Sequence, residues 1–300
     1  MTQTFAPIVI LAYNRPRHLQ QTVQALLQNK EAAESELFVF CDAPRSDADR
    51  PMVEATRQAV RQITGFKQVH ITEREHNIGL AHNVVGGVTQ VVNQYGRVIV
   101  LEDDLLVSPY FLKFMNDALE TYADEPKVGH IQACDFTGDK RLPDTFLIKW
   151  TGSWGWATWK RAWQLFNPDG KQLLEQLQER HLCHTFDLNG NYRFTRMLRR
   201  QTEGKNDSWA IRWNASLFLA DVLSLNVGKS LVTNNGLDGS GTNSVKGDPY
   251  HTPLWQQPLP VVKIEPIAEN MEARRILGEY YHRTNGFWAK VKKRLLRMIP

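Results

Sequence analysis

Three acids, Glu102, Asp103 and Asp104, follow directly on an apolar run in VIVLEDD, residues 98–104. An apolar strand that delivers three carboxylates to one point makes a hard, oxygen-rich site suited to Mn²⁺ or Mg²⁺. Carboxylates crowded in this way repel one another unless a cation is present. The plainer alternative is an acidic lead-in to a helix that starts near Ser108 and Pro109. Another acid, Asp207, stands just before an amphipathic segment carrying Trp209, Trp213 and Phe218 (KNDSWAIRWNASLFLA, residues 205–220), where either Asp207 or Ser208 would serve as the N-cap. Further polar groups end other apolar runs: Tyr13, Asn14 and Arg15 after PIVILAY, Asp42 after LFVFC, and Asn77, Gly79 and Asn83 within HNIGLAHN. Taken singly, each of these reads equally well as a turn or a helix start.

The elements that must position these residues alternate along the chain. Residues 7–13 form a β-branched apolar run closed by Asn-Arg-Pro, and residues 17–30 carry Leu19, Val23, Leu26 and Leu27 at helical spacing. Residues 37–41 and 68–72 read as strands around a helix at 50–63; residues 79–95 read as a helix, and 97–101 as a fourth strand running into the acids. Continuous apolar strands separated by helices predict a parallel sheet covered on both faces, a doubly wound, Rossmann-like α/β half. Ligands on such a sheet bind beyond the carboxyl ends of the strands, where all the polar groups named above should gather. After residue 105 the pattern changes: a helix at 111–122, a strand at 128–132, then a tryptophan-rich stretch with Trp150, Trp154, Trp156, Trp159 and Trp163. This predicts a second subdomain packed on the first. Residues 235–260, rich in Gly, Asn, Ser and Pro, read as a long lid-like loop.

Composition excludes several classes. A chain of 300 residues with 42% hydrophobic and 23% charged residues is neither disordered nor collagen-like. No run approaches the ~18–20 apolar residues of a membrane span, and MTQTFAPIVILAYNRP lacks a basic leader and a cleavage site, so a cytoplasmic protein is expected. Cys41, Cys134 and Cys183 are odd in number and widely spaced, which argues against a disulfide scaffold or a zinc site. The net charge of +4 is concentrated near the C-terminus, leaving an acidic body unlike a nucleic-acid-binding face. No G-x-G-x-x-G follows the first strand, and neither a phosphate loop nor HExxH occurs.

Taken together, ILAYNRP, CDAP, HNIGLAHN and LEDD resemble the nucleotide-sugar-binding half of GT-A glycosyltransferases, particularly family 2 and the N-acetylglucosaminyltransferase I-like group. The resemblance implies a metal-dependent, inverting transfer of a sugar from a nucleotide donor, with UDP favoured, to a glycan or lipid-linked saccharide acceptor. It implies that Asp104 ligates Mn²⁺ or Mg²⁺ while Glu102 and Asp103 face ribose and donor sugar. It also implies that Asp42 accepts from the uracil imide, and that Tyr13, Arg15 and the Asn77-Ile78-Gly79 turn line base and ribose, with Asn83 on the same pocket. GSWGWATWKRAW (residues 152–163) is similar to the segment that borders the sugars in such enzymes, which makes Trp154, Gly155 and Trp156 sugar-platform candidates and leaves Trp159 and Trp163 to the core. In the same way Trp209 belongs with the sugars and Asp207 becomes the general base.

One departure is visible: the loop NNGLDGSGTNS (residues 234–244) offers Asn243 where such enzymes often place a histidine ligand, with Asp238 or His251 as substitutes. A sugar nucleotidyltransferase is a rival reading, but it would carry a glycine-rich triphosphate loop where this chain has YNRPRHL. A noncatalytic glycan-binding module is another, and it leaves the three acids without a purpose. The expected organisation is a GT-A domain over 1–265, divided at 106 into donor and acceptor halves, followed by a basic tail over 266–300. Within that tail FWAKVKKRLLRMI (residues 287–299) has the pattern of a helix lying on an anionic membrane surface, which would hold the protein peripherally on the inner face of the cell membrane.

Overall fold

The computed structural model describes residues 5–237 and 252–285. Its first half alternates strands and helices: β1 (Ile8–Ala12), α1 (Pro16–Leu26), β2 (Glu36–Cys41), α2 (Arg50–Arg61), β3 (Gln68–Glu73), α3 (Gly79–Tyr95) and β4 (Arg97–Glu102). β1 pairs in parallel with both β2 and β4, Ile10 lying opposite Val39 on one side and Leu101 on the other. β3 adds in parallel outside β2. The near-continuous burial of β1, β2 and β4 follows from their unbroken apolar runs, because both faces of the sheet are covered. Each fully buried aliphatic side chain here contributes about 1.5–3 kcal/mol.

The second half extends the same sheet. After β5 (Leu105–Val107) and α4 (Phe111–Thr121) come β6 (Val128–Gln132), β7 (Thr145–Ile148), β8 (Trp156–Trp159) and α5 (Lys160–Trp163). Then follow α6 (Gly170–Glu179), α7 (Cys183–Phe186), α8 (Phe194–Thr202), α9 (Trp209–Leu219), β9 (Leu223–Val227), β10 (Val232–Asn234) and α10 (Met271–Asn285). The eight-stranded order is β3-β2-β1-β4-β8-β6-β9-β7, and β10 pairs with β5 as a separate ribbon. β8 runs antiparallel to β4 and to β6, and β7 is antiparallel to β9. This is the expected α/β, mostly parallel, Rossmann-like sheet of the GT-A type with a second half built onto it.

Three apolar clusters hold it together. Leu19, Val23 and Leu26 of α1 pack with Phe111, Phe114 and Leu119 of α4 on one face of the sheet. Val84, Val88 and Val91 of α3 pack with Trp156, Trp209 and Trp213 on the other. The third cluster joins Phe146 and Ile148 to α6, α8, the far side of α9, and α10. α10 therefore belongs to the body, since Ala273, Ile276, Leu277 and Tyr280 are buried and the buried Arg274 is paired with Glu269 at 2.7 Å. The expected tail boundary at 266 falls ahead of this helix. The basic amphipathic segment 287–299 lies outside the described residues, as do Asp238, Asn243 and His251. Among the described residues no helix is long and apolar enough to cross a membrane.

Candidate active site

β4 carries Glu102 at its carboxyl end, in register with Leu11 of β1, and the chain then turns through Asp103 and Asp104 into β5. The segment following β1 and the helix it leads into grip this turn. The Tyr13 amide donates to Asp103 Oδ2 at 3.2 Å, and the Thr22 hydroxyl of α1 donates to the Asp103 carbonyl at 2.9 Å. Arg15 Nη1 donates to Asp104 Oδ2 at 2.6 Å in a pair with side chains only 12% and 14% exposed. The other oxygen, Asp104 Oδ1, is buried and has no hydrogen-bond partner among the described residues. From the far side the Asn235 amide donates to the Asp104 carbonyl at 3.0 Å, and Gly236 closes on the pair so tightly that a Cβ there would collide with Asp104 and Arg15.

Burial raises the carboxyl pKa of Asp103 to about 7 and that of Glu102 to about 8, with the Asp104 charge as the next cause. Burial also raises Asp104, against the lowering effect of Arg15 and Asn234. An acid raised in the folded state holds protons that the unfolded chain releases. The stability this gives is full below about pH 4 and is lost as pH climbs through 7 to 8. A cation bound to the ionised acids offsets that loss. The rise in melting temperature caused by Mn²⁺ is therefore expected to grow between about pH 6 and about pH 8, measured by thermal denaturation with and without metal; a rise that does not change with pH would show that these acids are not crowded.

Among the described residues no three His, Cys, Asp or Glu side chains converge as a complete metal cage. The arrangement nevertheless fits a hard cation of the Mg²⁺ or Mn²⁺ kind. Such ions are held by one or two carboxylates together with the phosphates of a substrate, and Asp104 Oδ1 is a buried anionic oxygen awaiting a partner. The loop expected to supply a further ligand begins with Asn234, whose side chain reaches Asp104.

The residues expected at the base and ribose are also bonded within the protein. Asp42 is buried, and its carboxylate accepts from the amides of Ala43, Ile78 and Gly79 at 2.8, 3.0 and 2.9 Å, which ties the end of β2 to the start of α3. Asn83 is buried too, donating to the Phe40 carbonyl at 3.1 Å and accepting from Arg74 Nε at 3.2 Å, so it braces β2 and does not face open space. Asn77 donates to the Ala43 carbonyl at 2.7 Å, and the Tyr13 hydroxyl accepts from the Arg45 amide at 3.0 Å. Tyr13, Arg15, Asn77 and Gly79 do gather along the carboxyl edge, around the ends of β1 and β2.

Two of the sugar-platform tryptophans are core. Trp156 is 1% exposed and Trp209 is 4% exposed, and their rings stack on each other at 5.3 Å. Both rings lie within the second apolar cluster. Gly155 has φ +64°, and a Cβ on it would strike Val232, so both backbone conformation and packing call for glycine. Trp154 is half-buried, with its ring edge-on to Phe136 at 5.7 Å. Trp159 and Trp163 are buried as expected, although Trp159 ends a strand and does not share a helix with Trp163.

The Trp156–Trp209 stack has a consequence for Asp207. Trp156 lies opposite Val100, two residues before Glu102, so α9 begins at the same carboxyl edge as the acids. Ser208, not Asp207, caps α9, its hydroxyl accepting from the Ile211 amide at 3.3 Å. Asp207 is 55% exposed and accepts from Arg212 Nη2 at 3.0 Å through Oδ1, while Oδ2 accepts no hydrogen bond from a described residue. Sequence reasoning missed Thr22 and Gly236. Thr22 carries no local signal, but Gly236 sits in an Asn-Asn-Gly turn motif that marks a close approach.

The sheet, with acids at the carboxyl end of β4 and a second half carrying the opposite wall, defines a GT-A glycosyltransferase. The chain belongs to the glycosyl transferase family 2, whose model matches residues 8–189. That match carries the family and not the N-acetylglucosaminyltransferase I-like subgroup. Solved structures to which the chain is similar include S. aureus TarS 1–349, at 15% identity over 54% of this chain and 48% of that one, TM-score 0.37. The chain thus spans about half of that structure. Another is a mannosyltransferase from Pyrobaculum calidifontis in complex with GDP-mannose and Mn²⁺, at 13% identity over 72% of this chain and 75% of that one, TM-score 0.37. A third is the galactosyltransferase LgtC in complex with donor and acceptor sugar analogues, at 11% identity over 73% and 72%, TM-score 0.39. No curated protein matches the chain significantly.

Proposed function

We propose that this glycosyltransferase is cation-dependent and inverting, and moves a sugar from a UDP-sugar to a hydroxyl of a glycan or lipid-linked saccharide. The observation that carries this reading is the free, buried Asp104 Oδ1 beside Arg15, at the carboxyl end of β4. Asp104 would hold Mn²⁺ or Mg²⁺, which when bound supplies neutralisation of the charge building on the leaving diphosphate. Arg15, hydrogen-bonded to the same carboxylate, can turn its remaining donors toward phosphate oxygens. Tyr13 and the Asn77-Ile78-Gly79 turn would line base and ribose, on a frame fixed by Asp42 and Asn83. Asp207 Oδ2 would accept the proton of the acceptor hydroxyl as its oxygen bonds to the anomeric carbon and the bond to the diphosphate breaks, Arg212 fixing the carboxylate's orientation.

Calorimetry of UDP, with GDP alongside, in the presence and absence of Mn²⁺ tests the donor side. UDP affinity at least about tenfold tighter with Mn²⁺ is expected, since a cation held by Asp104 would offset the charge of the diphosphate. UDP binding indifferent to the metal would remove Asp104 from the donor site, and tighter GDP binding would overturn the choice of uridine.

A further inference from the structure

The C-terminal side of the molecule carries a second concentration of charge, of opposite sign to the acids. Residues 193–205 hold Arg193, Arg196, Arg199, Arg200 and Lys205 against Glu203 alone, a net of +4 in thirteen residues. On α8 this spacing places the four arginines on one helical face, while Phe194 and Leu198 anchor the opposite face in the third apolar cluster. The arginines are exposed and border a concavity of about 490 Å³.

None of the four guanidinium groups makes a hydrogen bond or ion pair with a described residue. Two acids also line the groove: Asp187 Oδ1 accepts from the Thr195 amide at 2.6 Å and Glu203 pairs with Lys205 at 2.7 Å, while Arg193 acts on Asp187, and Arg199 and Arg200 on Glu203, through their charge alone. Like charges three and four residues apart on a helix repel by roughly 0.2–0.5 kcal/mol per pair. The fold thus maintains a groove in which Arg193, Arg196, Arg199, Arg200 and Lys205 outnumber Asp187 and Glu203.

We propose that this groove binds phosphate groups of the acceptor substrate, so that the acceptor is a phosphorylated saccharide. This rests on the transferase reading above. Guanidinium groups present paired N–H donors that match phosphate oxygens, and several converging on one concavity suit a diphosphate or phosphodiester better than a single carboxylate. Position supports an acceptor role. Lys205, at the groove's end, is two residues from Asp207, so their Cα atoms lie within about 7 Å. An acceptor held by its phosphate on α8 would extend its hydroxyl toward that carboxylate. Concavity favours this ligand over a flat membrane surface.

Titration of inorganic pyrophosphate into the full chain in metal-free buffer tests the groove, with Arg196→Glu/Arg200→Glu and the milder Arg196→Gln/Arg200→Gln as variants. Both are expected to bind pyrophosphate at least tenfold more weakly and to bind UDP with Mn²⁺ as the parent does. Pyrophosphate affinity unchanged in both variants would overturn the proposal by placing that ligand elsewhere, at Arg15 on the donor edge. A parent that does not bind pyrophosphate yet sediments with phosphatidylglycerol vesicles through these arginines would overturn it in favour of a membrane contact. A parent that binds neither UDP nor GDP with Mn²⁺ would instead sink the donor-site reading, and with it the acceptor role, whatever the groove's affinity for pyrophosphate.

Discussion

Asp104→Ala is expected to lower the rate of sugar transfer by at least about 10³-fold and to remove the part of UDP binding that depends on metal. A loss of that size corresponds to about 4 kcal/mol of transition-state stabilisation, the scale of charge neutralisation by a bound cation. The residual, metal-free affinity for UDP should persist, because Arg15 keeps its guanidinium at the same edge and is released from its 2.6 Å contact with Asp104. Removing one partner of a largely buried ion pair costs about 3–5 kcal/mol where nothing compensates. The double variant Arg15→Ala/Asp104→Ala is therefore the control for stability, and Asp104→Asn, which preserves shape but not charge, should be as inactive as Asp104→Ala. Single-turnover assays with calorimetry on each variant would show this. Normal turnover of Asp104→Ala at saturating Mn²⁺ would sink the assignment of Asp104 as the cation's ligand.

The donor half was legible because its signals are local. Unbroken apolar runs at 7–13, 37–41 and 97–101 can be buried on both faces only in a covered parallel sheet, and this fixes where Tyr13, Asp42 and Glu102 emerge. What those residues then do was less legible, since their partners are distant in sequence. Asp42 is satisfied by amides 36 and 37 residues away, and no pattern around CDAP reveals it. The tryptophans failed for a different reason. A period of two would put Trp154 and Trp156 on one face, but the strand starts only at Trp156, and the positive φ of Gly155 breaks the alternation. Trp154 consequently meets Phe136, whereas Trp156 enters the core against Trp209. The antiparallel insertion of β8 between β4 and β6 was equally hidden, because four residues of strand carry too little periodicity to announce a partner.

That same stack, by setting the start of α9, sharpens the second large prediction: Asp207→Asn should lower kcat by about 10²- to 10⁴-fold, the range for loss of a general base. An amide cannot take up the proton of the acceptor hydroxyl, although it retains an oxygen to accept from Arg212. The structure separates this effect from stability more cleanly than the sequence does. Ser208 and not Asp207 caps the helix, and Asp207 is 55% exposed in a pair whose stabilisation is reduced by solvent. Asp207→Asn should accordingly melt within a degree or two of the parent, a ΔΔG below about 0.5 kcal/mol, and bind UDP with Mn²⁺ unchanged. Ser208→Ala should do the reverse, losing about 1 kcal/mol of stability through the unsatisfied Ile211 amide while keeping its kcat. Thermal melts and initial rates on the two neighbours form one comparison. If Asp207→Asn keeps its kcat, the base lies elsewhere; if Ser208→Ala alone slows transfer, the helix start matters only for positioning, and the proton must leave by another route.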